Sequence, residues 1–299
     1  YCYNYFMLLK SESRKKIIDN FHKNVLGKYP DKSKLKSSHE GNLGHWLEFN
    51  LGGKIDSDGD ADLNGFECKI ESKKMSWGDW GAPYRIFCDK SYKTFNTKTA
   101  YENMWKLIEV LGVRREIPEK GIFYSMSGKD VPAHVNELTN IGLSLKESGG
   151  DISYVYNFSA DQRETKNKTV PDELQKDDLL IFKWYGTDKS FNTFKKNIIN
   201  NNLPIDVKWD GSNRSVSIEE RIRRKFGIYG IVVGLKDESR GFYGLKFLKS
   251  ISFEDWLNFF KNKDVIYDTA LTTRNKRPYN QWRSSAKFMK TLEEDIYIP

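Results

Sequence analysis

Cysteine is scarce in this chain, and the absences narrow its chemistry before any motif is read. Cys2, Cys68 and Cys88 are the three cysteines among 299 residues, too few and too irregularly spaced for a disulfide framework or a structural zinc site. Reduced thiols of this kind fit a cytoplasmic protein. Histidine is scarce as well for a chain of this length, with four residues. His39, His45 and His134 lack the spacing of metal ligands or of a general base, although His45 falls one helical turn before Glu48. No apolar run approaches the roughly 20 residues of a membrane span. The opening YCYNYFMLLK lacks the basic stretch and long apolar core of a signal peptide. Repeats and low-complexity tracts are absent too, which excludes solenoids and fibrous or tail-like segments.

What remains is the composition of a folded globule. Hydrophobic residues make up 38% and aromatics 14%, enough to build a substantial core. Forty-nine Lys and Arg against 41 Asp and Glu give a net charge of +8, compatible with a polyanionic partner. The distribution is more telling than the total. Arg274, Lys276, Arg277, Arg283, Lys287 and Lys290 fall in a stretch from Leu271 to Lys290 that contains no acid.

Periodicity alternates between helix and strand. Ile17, Ile18, Phe21 and Val25 mark one face of a helix over residues 11–26, and Leu43, Trp46, Leu47 and Leu51 mark a second that Ser38 can cap and Gly52-Gly53 ends. Thr99 and Glu102 have capping-box spacing ahead of a helix from Tyr101 to Leu111. Strand patterns cover Gly121–Met126, Ile152–Phe158, Leu179–Tyr185, Ile228–Leu235 and Phe242–Leu248; helices are expected at Phe191–Asn200, Ile218–Phe226 and Phe253–Asn262. The polar stretch Ala160 to Asp178 reads as a linker or long loop. A mixed α/β fold is the class these alternations imply.

The stretch DSDGDADLNGFECKIESKK, Asp56 to Lys74, admits two chemistries. Asp56, Asp58, Asp60, Asp62 and Glu67 occupy ligand positions of an EF-hand loop, but Ala61 stands where that loop needs glycine, and a strand rather than a helix leaves from Glu67. The alternative treats Asn64-Gly65 as a tight hairpin turn. Leu63 then faces Phe66, Asp62 faces Glu67, and Asp60 faces Lys69. Pleating sets Asp62, Glu67 and Lys69 on one face and Leu63, Phe66 and Cys68 on the other. Carboxylates this close repel unless a cation lies between them, and hard oxygen donors suit Mg²⁺. Such an ion polarises a phosphodiester and activates water, with Lys69 beside it. Glu48, on the preceding helix, is placed to join the same metal from the side. A solvated charged face, with the acids paired to Lys69, Lys73 and Lys74, is the alternative outcome.

At Glu48, Asp62, Glu67 and Lys69 the sequence resembles the PD-(D/E)xK nucleases, in particular the MutH-like branch with its MvaI- and BcnI-type restriction enzymes, although no proline precedes Asp62. The segment SKKMSWGDWGAPYRIF, Ser72 to Phe87, is similar to the region after the active site in enzymes that cut CCNGG-like sites. The resemblance covers about residues 39–87. It implies a restriction-endonuclease-like core, a C-terminal DNA-recognition lobe and a cleft between them, with a catalytic lobe expected over 1–150 and a recognition lobe over 151–299.

On this reading the protein is a type II restriction endonuclease that hydrolyses double-stranded DNA with Mg²⁺. Mn²⁺ substitutes, and Ca²⁺ supports binding without efficient cleavage. Asp62, Glu67 and Glu48 hold the metal, and Lys69 assists the nucleophile. Arg274, Lys276, Arg277, Tyr279, Asn280, Arg283 and Lys287 contact DNA, since Arg suits guanine, Asn suits adenine and Lys suits phosphate. A monomer or weak dimer, paired with a DNA methyltransferase acting on the same site, completes the expectation. A strand-nicking repair enzyme of the same fold and a DNA-binding regulator without catalysis are the rival readings. GIYGIVVG, Gly227 to Gly234, begins like another nuclease motif but has the apolar run of a buried strand.

Overall fold

A computed structural model describes residues 2–30, 42–53, 60–119, 121–205, 216–276 and 278–299. The first half of the chain runs through α1 (Cys2–Asn20), α2 (Asn42–Asn50), β1 (Phe66–Ile70), β2 (Lys74–Asp79), β3 (Tyr84–Arg85), α3 (Ala100–Leu111), β4 (Val113–Ile117), β5 (Gly121–Ser127) and β6 (Ile141–Ser148). It continues with β7 (Asp151–Asp161), α4 (Lys166–Thr169), β8 (Leu179–Trp184), α5 (Asp188–Asn200), α6 (Ile218–Lys225), β9 (Gly230–Asp237) and β10 (Gly241–Leu248). The last elements are α7 (Phe253–Lys261), β11 (Ile266–Thr272), β12 (Asn280–Ser285), α8 (Ala286–Lys290) and β13 (Glu293–Tyr297). Helices and strands alternate as expected for a mixed α/β chain, and the GIYGIVVG segment leads into β9, whose first six residues are buried.

Two compact units emerge, and neither follows a division at residue 150. One comprises Tyr1–Met75, Arg221–Trp256 and Ser284–Pro299; the other comprises Ser76–Glu220 and Leu257–Arg283. The chain leaves and re-enters each, because strands distant in sequence complete their sheets.

The first unit is built on a four-stranded sheet in the order β1-β9-β10-β13. β1 runs parallel to β9, with Glu67 opposite Ile231, while β10 lies between β9 and β13 and is antiparallel to both. The apolar stripe of α1 continues through Ile17 into a π-helical turn, Phe21–Val25, whose Phe21 and Val25 are fully buried. They pack with Leu47, Leu63, Phe66 and Phe247 in one core. Each such side chain contributes about 1.5–3 kcal/mol of burial.

The second unit holds a five-stranded sheet, β2-β12-β11-β5-β4, and a four-stranded sheet, β3-β8-β7-β6. Its core is aromatic. Trp282 packs against Tyr267 at 5.1 Å and Trp184 at 5.3 Å between ring centroids, and the Trp184 indole N–H donates to the Trp80 carbonyl at 2.7 Å. The capping box before α3 forms with both of its bonds, Glu102 N–H to Thr99 Oγ1 and Thr99 N–H to the Glu102 carboxylate.

Residues 160–178 are no linker. β7 extends to Asp161, whose buried carboxylate accepts from the Tyr156 hydroxyl at 2.7 Å and from Arg163 at 2.6 Å. Arg163 also donates to the carbonyls of Val110 and Gly112 at 3.1 and 2.8 Å. The polar letters that suggested a loop are spent on this internal network, and Val170 and Leu174 are buried beside it.

Removing one partner of a buried ion pair strands the other, at about 3–5 kcal/mol. Asp161→Ala should therefore lower the urea-unfolding free energy by about 3 kcal/mol. A change below about 1 kcal/mol would show that the network is dispensable.

Candidate active site

The site grows from a tight turn. Asn64 and Gly65 both have positive φ, 48° and 99°, the combination a type I′ turn requires. Leu63 and Phe66 exchange both backbone hydrogen bonds, at 2.8 and 3.1 Å. A Cβ on Gly65 would lie 2.5 Å from the Tyr229 ring, so the turn accepts no larger residue.

Beyond that first pair the expected hairpin does not continue. Asp62 is not registered opposite Glu67 as a strand residue; its Oδ2 instead accepts the Cys68 N–H at 3.0 Å. A side chain thus occupies the edge of β1 where a second strand was expected, while the other edge pairs with β9. Asp60 does not face Lys69 but pairs with Arg224 at 2.5 Å. Asp56 and Asp58 lie outside the described residues.

The two-face expectation holds along β1. Phe66 and Cys68 enter the core with Leu63, and Glu67 and Lys69 turn the other way and hydrogen-bond to each other. Glu67 is nevertheless buried, 1% exposed. Its second cation is Lys225, at the end of α6, with Nζ 3.2 Å from Glu67 Oε1.

Glu48 completes the group from α2. The helix ends with the Gly53 N–H on the Glu48 carbonyl at 2.9 Å. A Cβ on Gly53 would stand 2.8 Å from the Asp62 carbonyl and 3.0 Å from Glu48 Cγ. The missing side chain lets the exit of α2 touch the Asp62 backbone.

These groups share one electrostatic field. Burial, then the charges of Asp62 and Glu67, pushes Glu48 up to about 7. Burial and Glu67 raise Asp62 to about 6. Burial alone would raise Glu67 as well, but Lys69 and Lys225 outweigh it and hold that carboxyl below its ordinary value. Burial would lower the Lys69 ammonium; Glu67 and Asp62 reverse this and raise it. Two carboxyls thus carry negative charge that the protein leaves under-compensated, while a third is doubly paired.

The structure brings together Glu48, Asp62, Glu67 and Lys69, and it adds Lys225, which the sequence pattern places only within a helix over Ile218–Phe226. The signal was there in part, because that helix leads into β9. What sequence did not supply was the parallel pairing of β9 with β1. His45 is exposed, and His134 uses its backbone N–H on Glu137 at 3.0 Å; His39 lies outside the described residues.

Six of the seven residues expected on DNA are described, and each has its own surroundings. Arg274 is exposed, with its guanidinium 5.0 Å from the Phe123 ring centroid, and Lys276 is exposed as well. Arg277 lies outside the described residues. The Tyr279 carbonyl accepts from the Ala270 N–H at 3.1 Å. Asn280 is buried and accepts from the Tyr267 hydroxyl at 2.6 Å, so its side chain is a core group and not an exposed reader. Arg283 pairs with Asp268 at 3.1 Å. Lys287 is exposed on α8, in the other compact unit from Arg274.

Residues 27–296 match the family of the LlaMI restriction endonuclease. The chain belongs to this family. It is also 30% identical over 289 residues to the type II restriction enzyme ScrFI of Lactococcus lactis subsp. cremoris, covering 95% of this chain and 98% of that one. A structure of the restriction endonuclease MvaI with its cognate DNA substrate superposes with a TM-score of 0.51 at 10% identity, over 98% of each chain. That likeness shows a shared restriction-endonuclease-like fold. A LlaMI-family member is a type II restriction endonuclease, a site-specific deoxyribonuclease, and the readings as a calcium module and as a regulator without catalysis fall away. Among the described residues no helix is long and apolar enough to cross a membrane.

Glu48 and Asp62 titrate higher in the folded chain than their ordinary values of 4.5 and 3.8. Between pH about 4 and about 7 the folded chain therefore holds more protons at these carboxyls than the unfolded chain, and their contribution to stability is lost as pH rises. With solvent screening discounted, the loss is about 1–2 kcal/mol. In EDTA the melting temperature should fall from pH 5 to pH 8 less in Glu48→Gln than in the parent protein. Equal falls would remove Glu48 from the coupled group.

Proposed function

We propose that Glu48, Asp62, Glu67 and Lys69 form the cleavage centre and that it hydrolyses phosphodiester bonds of double-stranded DNA with Mg²⁺. One observation carries this reading: three carboxylates on separate elements share a field in which two are raised towards neutrality. Mg²⁺ fits this donor set, because it binds through one or two carboxylates and retains waters and phosphate oxygens as its other ligands. Among the described residues no group of three or more acidic, His or Cys side chains is gathered so as to hold an ion by itself. Asp62 and Glu67 would hold it, with Glu48 at the side.

When bound, the ion supplies Lewis acidity and lowers the pKa of a water. Lys69 orients Glu67 by their hydrogen bond and sets an ammonium where anionic charge develops on the phosphate. Glu48, at about 7, is able to take up a proton near neutral pH. The products are 5′-phosphate and 3′-hydroxyl ends. Mn²⁺ replaces Mg²⁺ in this scheme, and Ca²⁺ permits binding without efficient cleavage. The enzyme acts as a monomer or weak dimer in the cytoplasm, alongside a methyltransferase that modifies the same DNA site.

A sequenced plasmid incubated with the protein and Mg²⁺ should be linearised at fixed positions; accumulation of open circles alone would favour the strand-nicking reading. Asp62→Asn, Glu67→Gln and Lys69→Ala should each slow cleavage by about 10²-fold or more while retaining specific binding in Ca²⁺. Cleavage by Asp62→Asn at the parent rate would overturn the assignment.

Recognition of a G·C-containing site is part of the same proposal, with exposed Arg274 the leading base reader, Lys276 and Arg277 near it in sequence, and Lys287 on phosphate. Arg274→Ala should weaken cognate binding by about 1–3 kcal/mol and relax preference at one base pair. Lys287→Ala should weaken cognate and random DNA alike and reduce the salt dependence. Unchanged discrimination in Arg274→Ala would place base reading elsewhere.

A further inference from the structure

The last turn of α6 grips the acidic segment at two points. Arg224 pairs with Asp60 at 2.5 Å. Lys225 then lies against Glu67, 3.2 Å from Oε1 and 3.5 Å from Oε2, so its ammonium addresses both carboxylate oxygens while Lys69 bonds to Oε1. The Lys225 side chain is 20% exposed and the Glu67 side chain 1%. This is a built contact and not a solvated helix face.

We propose that Lys225 is a positioning residue of the cleavage site that competes with the divalent cation for Glu67. The ammonium holds the carboxylate while the site lacks metal and withdraws as the ion takes the same oxygens. The inference rests on reading Glu67 as a metal ligand. Its physical basis is that a divalent ion brought to a carboxylate that already holds two ammoniums is repelled at short range, whereas a carboxylate this deeply buried is costly without close counter-charge. Exchange of one cation for the other satisfies both conditions. The flexible four-carbon stem of lysine allows the ammonium to swing aside, and the Arg224–Asp60 pair keeps the helix end in place as it does so.

Mn²⁺ binding to the metal-free protein, measured without DNA by electron paramagnetic resonance, separates this role from a merely structural one. Lys225→Met should bind Mn²⁺ about tenfold more tightly than the parent, the scale of one like charge removed at close range. Lys225→Arg should bind no more tightly than the parent, and Glu67→Gln should bind at least about tenfold more weakly. If Lys225→Met binds no more tightly while Glu67→Gln loses binding, the competition is overturned and Glu67 stands as a ligand. If Glu67→Gln binds as the parent does, both readings fall. Should Lys225→Met not fold, lysine side-chain NMR of the parent protein decides the matter: the Lys225 signal, assigned with Lys225→Arg, shifts on addition of Mg²⁺ if the ammonium is displaced, and an unmoved signal overturns the proposal.

Discussion

The buried carboxylate of Glu67, held between two ammoniums, is the constraint around which the first unit is organised. A carboxylate 1% exposed is tolerable in a protein interior only with close counter-charges, and here they come from opposite ends of the sequence logic. Lys69 is two residues away on the same strand; Lys225 arrives through the parallel pairing of β1 with β9. Glu67 therefore ties the strand order of the sheet to the electrostatics of the site. The raised values of Glu48 and Asp62 follow from the same arrangement, since both feel the charge of Glu67 in a partly desolvated space.

Local physics was readable in the sequence, and long-range pairing was not. Asn64-Gly65 announced its turn, and the alternation of Phe66, Glu67, Cys68 and Lys69 announced which side chains face the core. Thr99 and Glu102 announced their capping box. Each depends on residues within a few positions of one another. The hairpin expected around Asn64-Gly65 stopped after Leu63 and Phe66 because the Asp62 carboxylate, and not a backbone strand, satisfies the Cys68 N–H. Gly53 packs against the Asp62 carbonyl at the same place, a contact that periodicity does not encode.

Polarity misled wherever charged residues serve the interior. Asp161 and Arg163 looked like linker letters but hold α3 to β7 through the carbonyls of Val110 and Gly112. Asn280 looked like a base reader within a basic stretch and is instead bonded to Tyr267 beside an aromatic core. Charge counting cannot distinguish Arg283, paired with Asp268, from exposed Lys287. The residue types were informative about chemistry, and only packing revealed which way each one points.

The parallel pairing of β1 and β9 also has a consequence in time. Lys225 follows Glu67 by 158 residues, and β13, the last strand of the same sheet, ends at Tyr297. During synthesis at about 5–20 residues per second, Glu67 waits roughly 8–30 s before Lys225 has even been made. β1 meanwhile has no neighbour in its sheet. The nascent chain therefore carries the acidic motif without the framework that holds it until β9 has been made.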